Sequence, residues 1–330
     1  MKHLFFAAGL TLATQAVAQD KPVLTVYTYD SFVADWGPGP AVEKAFEATC
    51  DCDLQFVAAG DGAALLSRLQ LEGARSDADV LLGIDTNLTA RARETGLFAP
   101  LAAQPNNLDL PVDWSDDTFV PFDWGYFAFV YDTTRMETPP TSFDALIKAE
   151  DIKVVIQDPR SSTPGLGLLM WVKTAYPDAA QTIWEGLAPR IVTVTKGWSE
   201  AYGLFLDGEA DMVLSYTTSP AYHIIAEDDA TKAAASFEEG HYMQIEVAAK
   251  LAATDQPELA DAFLTFVTSD AFQGIIPTTN WMYPAKFPLA GLPEGFDQLI
   301  TPERALILPD SEAAALRDTA LAEWLAALSQ

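Results

Sequence analysis

The sequence predicts an α/β protein of two lobes, its mixed β-sheets flanked by helices and hinged by strands that cross between the halves. Three observations carry this expectation. From residue 23 to about residue 95, short β-prone runs alternate with helical stretches, the rhythm of a mainly parallel sheet. A strongly aromatic, β-prone segment at 119–131 (FVPFDWGYFAFVY) then stands near the midpoint, just before a second β/α series begins. It has the composition of an ordinary core strand, but its position favours a strand that passes from one lobe to the other. A further run at 242–249 (YMQIEVAA) follows the second series and reads as the strand that crosses back. With 330 residues the chain can bury a large core and divide. The expected division is 19–122 with 243–290 as one lobe, 123–242 as the other, and 291–330 as a helical segment packed on a lobe.

The amino terminus is read separately. Lys2 and His3 precede an apolar run at 4–12, and Ala16-Val17-Ala18 gives a small-x-small cleavage site before Gln19. This is the pattern of a secretory signal peptide removed after Ala18, and its apolar run is too short to span a bilayer. No later stretch approaches about 20 uninterrupted apolar residues, so the mature protein is expected to be soluble and exported. A hydrophobic share of 49% with 20% charged residues is that of a globular protein. The formal charge of −28, more negative still once Lys2 is removed, argues against nucleic acid and anionic membranes as partners. It says little about the ligand, because the local field of a pocket need not follow the total.

Cys50 and Cys52 are the only cysteines. An oxidising compartment allows them to pair, while so tight a loop lies near the limit of disulfide geometry, and sequence alone leaves the bond open. Zinc is not expected, since the mature chain adds only His223 and His241 to those two cysteines.

Each element follows from local signals. Residues 23–28 (VLTVYT) alternate as a strand ending at Tyr29-Asp30-Ser31; a loop with Trp36 and Gly37-Pro38-Gly39-Pro40 leads to a helix at about 41–48. A second strand at 54–59 (LQFVAA) breaks at Gly60-Asp61-Gly62 before a helix at 63–71, and a third at 79–84 (DVLLGI) ends in Asp85. After the aromatic strand, Pro139-Pro140 marks a turn and 142–149 a short helix. A strand at 153–156 runs into Gln157-Asp158-Pro159-Arg160, after which Ser161-Ser162-Thr163-Pro164 opens a long apolar helix to about Ala175. Hydroxyls and proline at a helix start serve as caps, and two serines and a threonine crowded there also suit an anion or hydroxyl site. Strands at 191–195 and 211–215, a helix at 257–269, a loop at 277–284 holding Trp281, and an amphipathic helix at about 311–328 complete the chain.

The stretch 196–223 (KGWSEAYGLFLDGEADMVLSYTTSPAYH) concentrates the functional signals. Gly197 and Trp198 are placed in a turn, Ser199 near a helix cap, and Asp207-Gly208 at the helix end. The strand at 211–215 then delivers Tyr216 at its carboxyl end, followed by a polar loop, Thr217-Thr218-Ser219-Pro220, and by Tyr222. Ligands of open α/β sheets bind outside the carboxyl ends of strands, so a flat, partly polar small molecule is expected here. Five corners carry unusual residues: Tyr29-Asp30, Asp61-Gly62, Asp85, Ser161-Ser162-Thr163, and Tyr216 to Ser219. Facing one cleft, they would make a hinged clamp around a ligand. Gly197-Trp198-Ser199-Glu200-Ala201 resembles G-x-S-x-G except at its last residue, but neither histidine stands in a context that marks it as the base. Tyr216 and Tyr222 raise the alternative of ferric-iron ligation. Trp198 and Trp281 nearby fit an organic ring better.

The segments KPVLTVYTYDSFVADWGPGP, ADVLLGIDTNL, DTFVPFDWGYFAFVYD, IQDPRSSTPGLGLL, TVTKGWSEAYGLFLDGEADMVLSYTTSPAYH and NWMYP resemble the periplasmic thiamine-binding proteins of bacterial thiamine ABC importers. The resemblance runs in order over nearly the whole mature chain and is weakest at 101–113 and after Pro284. It implies the type II periplasmic binding protein fold, shared with ferric-iron binders and thiaminase I. It further implies a monomeric periplasmic receptor, not an enzyme and with no resident cofactor or metal, whose lobes close over thiamine, thiamine monophosphate or thiamine diphosphate for delivery to an inner-membrane permease. The ligand contacts that it implies are Asp61, Gly62, Ser162, Thr163, Trp198, and Tyr216, Thr217, Thr218 and Ser219, with Tyr29, Tyr222 and Trp281 as aromatic walls. Thiaminase I, the enzyme rival on this fold, works through a cysteine nucleophile. Cys50 and Cys52 are expected on a helix-to-strand turn away from the corners, so binding without turnover is the expectation. Arg160 beside Asp158 suits a structural ion pair or a phosphate contact.

Overall fold

The structure, a computed structural model, describes residues 21–329; the expected signal peptide and its cleavage after Ala18 lie outside the described residues. The first β/α series contains β1 (Val23–Thr28), α1 (Gly39–Glu47), β2 (Asp53–Ala58), α2 (Gly62–Glu72), β3 (Val80–Asp85) and α3 (Thr86–Glu94). After the long strand β4 (Val120–Asp132), the second series contains α4 (Phe143–Lys148), β5 (Val154–Gln157), α5 (Thr163–Ala175), α6 (Ala180–Leu187), β6 (Ile191–Thr195), α7 (Trp198–Leu206), β7 (Met212–Tyr216), α8 (Pro220–Ala226) and β8 (Lys232–Ala234). The strand β9 (His241–Lys250) leads back to α9 (Pro257–Val267), α10 (Asp270–Gln273), α11 (Ile276–Thr279), β10 (Tyr283–Pro284), β11 (Ala305–Leu306) and α12 (Asp310–Leu328).

The main path of the curled, mixed sheet runs β2-β1-β3-β9-β4-β7-β5-β6. Neighbours β1, β2 and β3 are parallel, as are β5, β6 and β7, so each half carries the strand-helix alternation that the sequence displays. The join is β4. Its first part, Val120 to Tyr126, pairs with β9, and from Phe127 to Tyr131 it pairs with β7. One strand thus belongs to both halves, as the aromatic segment and its midpoint position predict. β9 runs back antiparallel to both β4 and β3.

Packing explains why the crossing strand is so apolar. From Val120 to Val130 every residue of β4 is buried; Phe129, Phe143, Trp171 and Phe237 interlock in stacked and edge-on pairs, and Phe127 packs against Tyr216 and Tyr242. Helix α5 approaches β4 closely because Gly167 leaves room: a Cβ there would stand 2.0 Å from the Phe127 ring. The last helix, α12, touches α3 of the first series and α5 and α6 of the second. Its buried side chains Ala313, Ala320, Trp324 and Ala327 fall on one face at helical spacing, and Lys173 holds Glu323 at 2.9 Å. Cys50 and Cys52 are bonded to each other in the turn between α1 and β2.

Candidate functional site

A cavity of about 470 Å³ opens where the carboxyl ends of the strands in the two halves meet. Tyr29 and Asp61 line it from corners of the first half, Trp198, Tyr216, Ser219 and Tyr222 from the second, and Trp281 from the segment after α11. Gly62, Ser162, Thr163, Thr217 and Thr218 lie buried, outside the lining itself. Thr217 and Thr218 form a turn after β7; Thr217 donates its N–H to Tyr126 O at 2.9 Å, and Thr218 Oγ1 reaches Met282 Sδ at 3.5 Å.

The aromatic walls are held from behind. Trp198 stacks on Tyr202 with ring centroids 4.9 Å apart, and its Nε1–H donates to Ser215 Oγ at 2.8 Å. Ser215 Oγ in turn meets Ser219 Oγ at 2.7 Å, so the wall residue and the polar loop are one network. Across the opening Trp36 comes within 6.3 Å of Trp198, and Tyr222 meets Trp281 edge-on at 5.4 Å. Trp281 takes the left-handed backbone conformation, φ 56°, which is uncommon for a bulky residue and marks a site held by its surroundings. Two details differ from the sequence reading. The cap of α7 is Gly197, in extended conformation, and Ser199 is the second helical residue and lines the cavity rather than capping. The expected polar loop is a tight turn that Pro220 converts at once into the start of α8, which carries Tyr222.

The acidic groups follow a pattern. By strand register, Asp85 of β3 is opposite Glu246 of β9, and Glu246 is opposite Asp123 of β4. Directly opposed residues share a face, so three buried carboxyls stand in a row beneath the cavity. Tyr29 Oη donates to Glu246 Oε2 at 2.9 Å, and Asn280 Nδ2 donates to Asp123 Oδ2 at 2.6 Å and to Tyr29 Oη at 2.9 Å. Burial raises all three carboxyls: Asp85 is pushed up to about 7, and Asp123 and Glu246, each beside the other, also rise. Burial raises Asp61 as well, against the pull of its donors. Those donors are Ser162 Oγ at 2.7 Å, the Gly62 N–H at 2.8 Å, and the backbone N–H groups of Thr163 and Trp198. The starts of α2, α5 and α7 therefore converge on one carboxylate. No lysine, arginine or histidine lines the cavity among the described residues. An enclosure with aromatic faces, the carboxyls of Asp61 and Glu246 in its lining and those of Asp85 and Asp123 beneath favours a flat, cationic organic ligand.

Sequence reasoning missed Trp36, Gln244, Glu246, Asn280 and Met282 as lining residues, and Asp123 beneath them. The readable signal was an acid inside each of two apolar strand runs, Asp123 in β4 and Glu246 in β9, since a buried acid in a strand needs a reason. Arg160 is bonded to Asp158, with Nε 2.9 Å from Oδ1, and is absent from the cavity lining. Among the described residues one group could hold a metal ion, His223, Glu227 and Asp229. Both ring nitrogens of that histidine are engaged, with Tyr202 Oη at 3.0 Å and Glu227 Oε2 at 2.6 Å, and none of the three lines the cavity.

Parallel strands on either side of two shared long ones, with a ligand-sized cavity at their seam, make this a two-lobed solute-binding protein of the type II periplasmic binding protein fold. The chain belongs to the bacterial extracellular solute-binding protein family, which residues 34–274 match. It is 55% identical to the thiamine-binding periplasmic protein of Escherichia coli K12 over 322 residues, 97% of this chain and 98% of that one. It is 51% identical to the thiamine-binding periplasmic protein of Brucella melitensis biotype 1 over 328 residues, 99% of this chain and 97% of that one. A solved periplasmic thiamin binding protein superposes with a TM-score of 0.92 at 55% identity, over 98% of this chain and 100% of its own. The ferric binding protein from Campylobacter jejuni superposes with a TM-score of 0.75 at 18% identity, over 92% of this chain and 99% of its own, a likeness of fold alone.

Proposed function

We propose that this protein is a periplasmic receptor that captures thiamine, thiamine monophosphate and thiamine diphosphate between its lobes and delivers them to an inner-membrane ABC permease. The observation that carries this reading is the union, in one cavity, of aromatic walls from both halves with an acidic floor and no basic lining residue among those described. Thiamine joins a cationic thiazolium to an aminopyrimidine, and aromatic faces stabilise such a cation by roughly 0.5–2 kcal/mol each. Relatives at 55% and 51% identity named for thiamine binding support the assignment.

In this reading Tyr29, Trp198, Tyr216, Tyr222 and Trp281 enclose the rings, and Asp61 offsets the thiazolium charge or accepts from the exocyclic amine. Gly62, Ser162 and Thr163, at two helix starts, receive the terminal hydroxyl or phosphate, with Thr217, Thr218 and Ser219 completing the polar side. The lobes are 19–122 with 243–290 and 123–242, hinged in β4 and β9, and the receptor acts as a monomer. Thiamine compounds are cargo, and the protein carries no resident cofactor. Binding proceeds without turnover: neither histidine bonds Ser199, and the two cysteines of a thiaminase-like alternative are bonded to each other, outside the cavity lining.

Titration of the ligand-free protein with the three thiamine forms tests the reading. Tryptophan emission should be quenched saturably with a submicromolar dissociation constant, and chromatography should recover the thiamine intact. No response at micromolar thiamine overturns the assignment, and a tyrosinate-to-iron absorption band on adding ferric ion would replace it with iron binding.

A further inference from the structure

Gln244 is the one group of the cavity floor whose hydrogen bonding the fold leaves incomplete at both ends. It precedes Glu246 by two residues on β9, so both side chains leave the strand on the face that bounds the cavity. The side chain is fully buried, yet neither Nε2 nor Oε1 has a hydrogen-bond partner within the protein. A buried amide in that state is a net cost to folding, and a methionine would fill the same space without it. Its register partner on β4 is Gly125, so no side chain stands opposite; a Cβ at Gly125 would come 2.7 Å from Met282 Cε. The other amide that lines the cavity is already engaged, since Asn280 bonds Tyr29 and Asp123. Among the described lining residues, only Gln244 offers a free donor and a free acceptor on one planar group.

We infer that the Gln244 amide reads the donor–acceptor edge of the ligand's uncharged ring, its Nε2–H donating to a ring nitrogen and its Oε1 accepting from an adjacent exocyclic amine. The ligand class this selects is a planar amino-heterocycle, and the inference rests on the thiamine reading above, whose aminopyrimidine presents that edge. The same bidentate geometry serves when a glutamine or asparagine side chain bonds the amine and neighbouring ring nitrogen of adenine. The division of labour is physical: carboxyls and aromatic faces attract the cation, and a neutral amide recognises the neutral ring without adding charge to an already acidic floor.

The test compares the unaltered protein with Gln244→Met, titrated with thiamine and with 3-benzyl-5-(2-hydroxyethyl)-4-methylthiazolium, which keeps the cationic ring but replaces the aminopyrimidine by benzene. Two lost hydrogen bonds should raise the dissociation constant for thiamine roughly 10- to 100-fold, while the benzyl compound stays within about twofold. Thermal unfolding of the ligand-free variant should be unchanged or shifted upward, because an unpaired amide has been removed; a merely structural glutamine would shift it down. Equal losses for the two ligands, or undiminished thiamine binding by the variant, overturn this inference alone. Failure of the unaltered protein to bind thiamine overturns the receptor assignment and the inference together.

Discussion

Asp61 is the residue on which the ligand's charge state should turn. Three helix starts direct N–H groups at its carboxylate, an arrangement that elsewhere receives phosphate. The side chain thus sits where a phosphorylated ligand would bring its own anion, and the two compete. Asp61→Asn keeps the size and removes the charge. Thiamine affinity should fall by about tenfold through the lost partner for its cation, while the diphosphate loses less or gains, moving their affinity ratio by roughly tenfold. Competitive titration measures that ratio directly, and an unchanged value rules out a shared anion site. Trp198 should act without such discrimination. Its ring contributes a face to the cavity and is braced by Tyr202 and Ser215. Trp198→Ala should therefore weaken all three thiamine forms together, by about 5- to 30-fold if the lost cation–aromatic contact is worth 1–2 kcal/mol. A loss confined to one form would place Trp198 at the phosphate instead.

At the scale of elements, the corner between β5 and α5 sets the position of Ser162 and Thr163. A Cβ on Gly165 would stand 2.5 Å from Gln157 O and 2.7 Å from the Asp158 carbonyl carbon, both backbone atoms that cannot step aside cheaply. Gly165→Ala should destabilise the protein by about 1–3 kcal/mol and displace the helix start. Chemical denaturation checks the first effect, and weakened binding of the phosphorylated forms relative to thiamine checks the second; a variant as stable as the parent would show that the corner yields. This corner was legible because hydroxyls, proline and glycine announce a helix start in any context. The crossing strand was legible too, since a long run dominated by aromatic and β-branched residues at mid-chain has few other uses. Other features were hidden for physical reasons. α8 is seven residues long and begins inside a Thr-Thr-Ser-Pro run that reads equally well as a turn. Ser199 has the chemistry of a cap, but Gly197 adopts the extended backbone first and takes that position. The bridging role of α12 depends on which helices surround an alanine-rich face, and small side chains fit many neighbours. Asp123, Gln244 and Glu246 lie in apolar runs, and only register places them in a row or at a cavity.

For the whole molecule that row has a consequence for pH. Asp85, Glu246 and Asp123 lie side by side on β3 and on the two shared strands, β9 and β4, with Tyr29 and Asn280 bonded into the group and Asp61 and Tyr216 close by. Burial lifts these carboxyls in the folded protein, Asp85 to about 7, so at these three groups the folded chain holds more protons than the unfolded one between about pH 4 and the raised values. Their contribution to stability is complete at acid pH and is lost as pH rises through the folded values. Opposing groups act lower. Against burial, Asp132 is drawn below the usual carboxylate range by Thr134 and then Lys232, Asp158 by Arg160 and Glu227 by His223, and the imidazole of His241 is pushed down by burial. The ligand-free protein should consequently lose thermal stability as pH rises from about 6.5 to about 8.5. A bound cation reverses the preference, because it favours the ionised carboxyls, so binding expels protons and thiamine affinity should climb over the same interval, by at most about tenfold per pH unit for each proton released. Calorimetric titration in two buffers of different ionisation enthalpy counts those protons. Asp123→Asn removes one carboxyl from the row while leaving Asn280 an acceptor, and it should flatten both the stability and the affinity profiles. A ligand-free protein whose melting temperature holds level or rises across that interval would mean that the row is already ionised, and the acidic floor would then attract its cation as a fixed charge rather than by exchanging it for a proton.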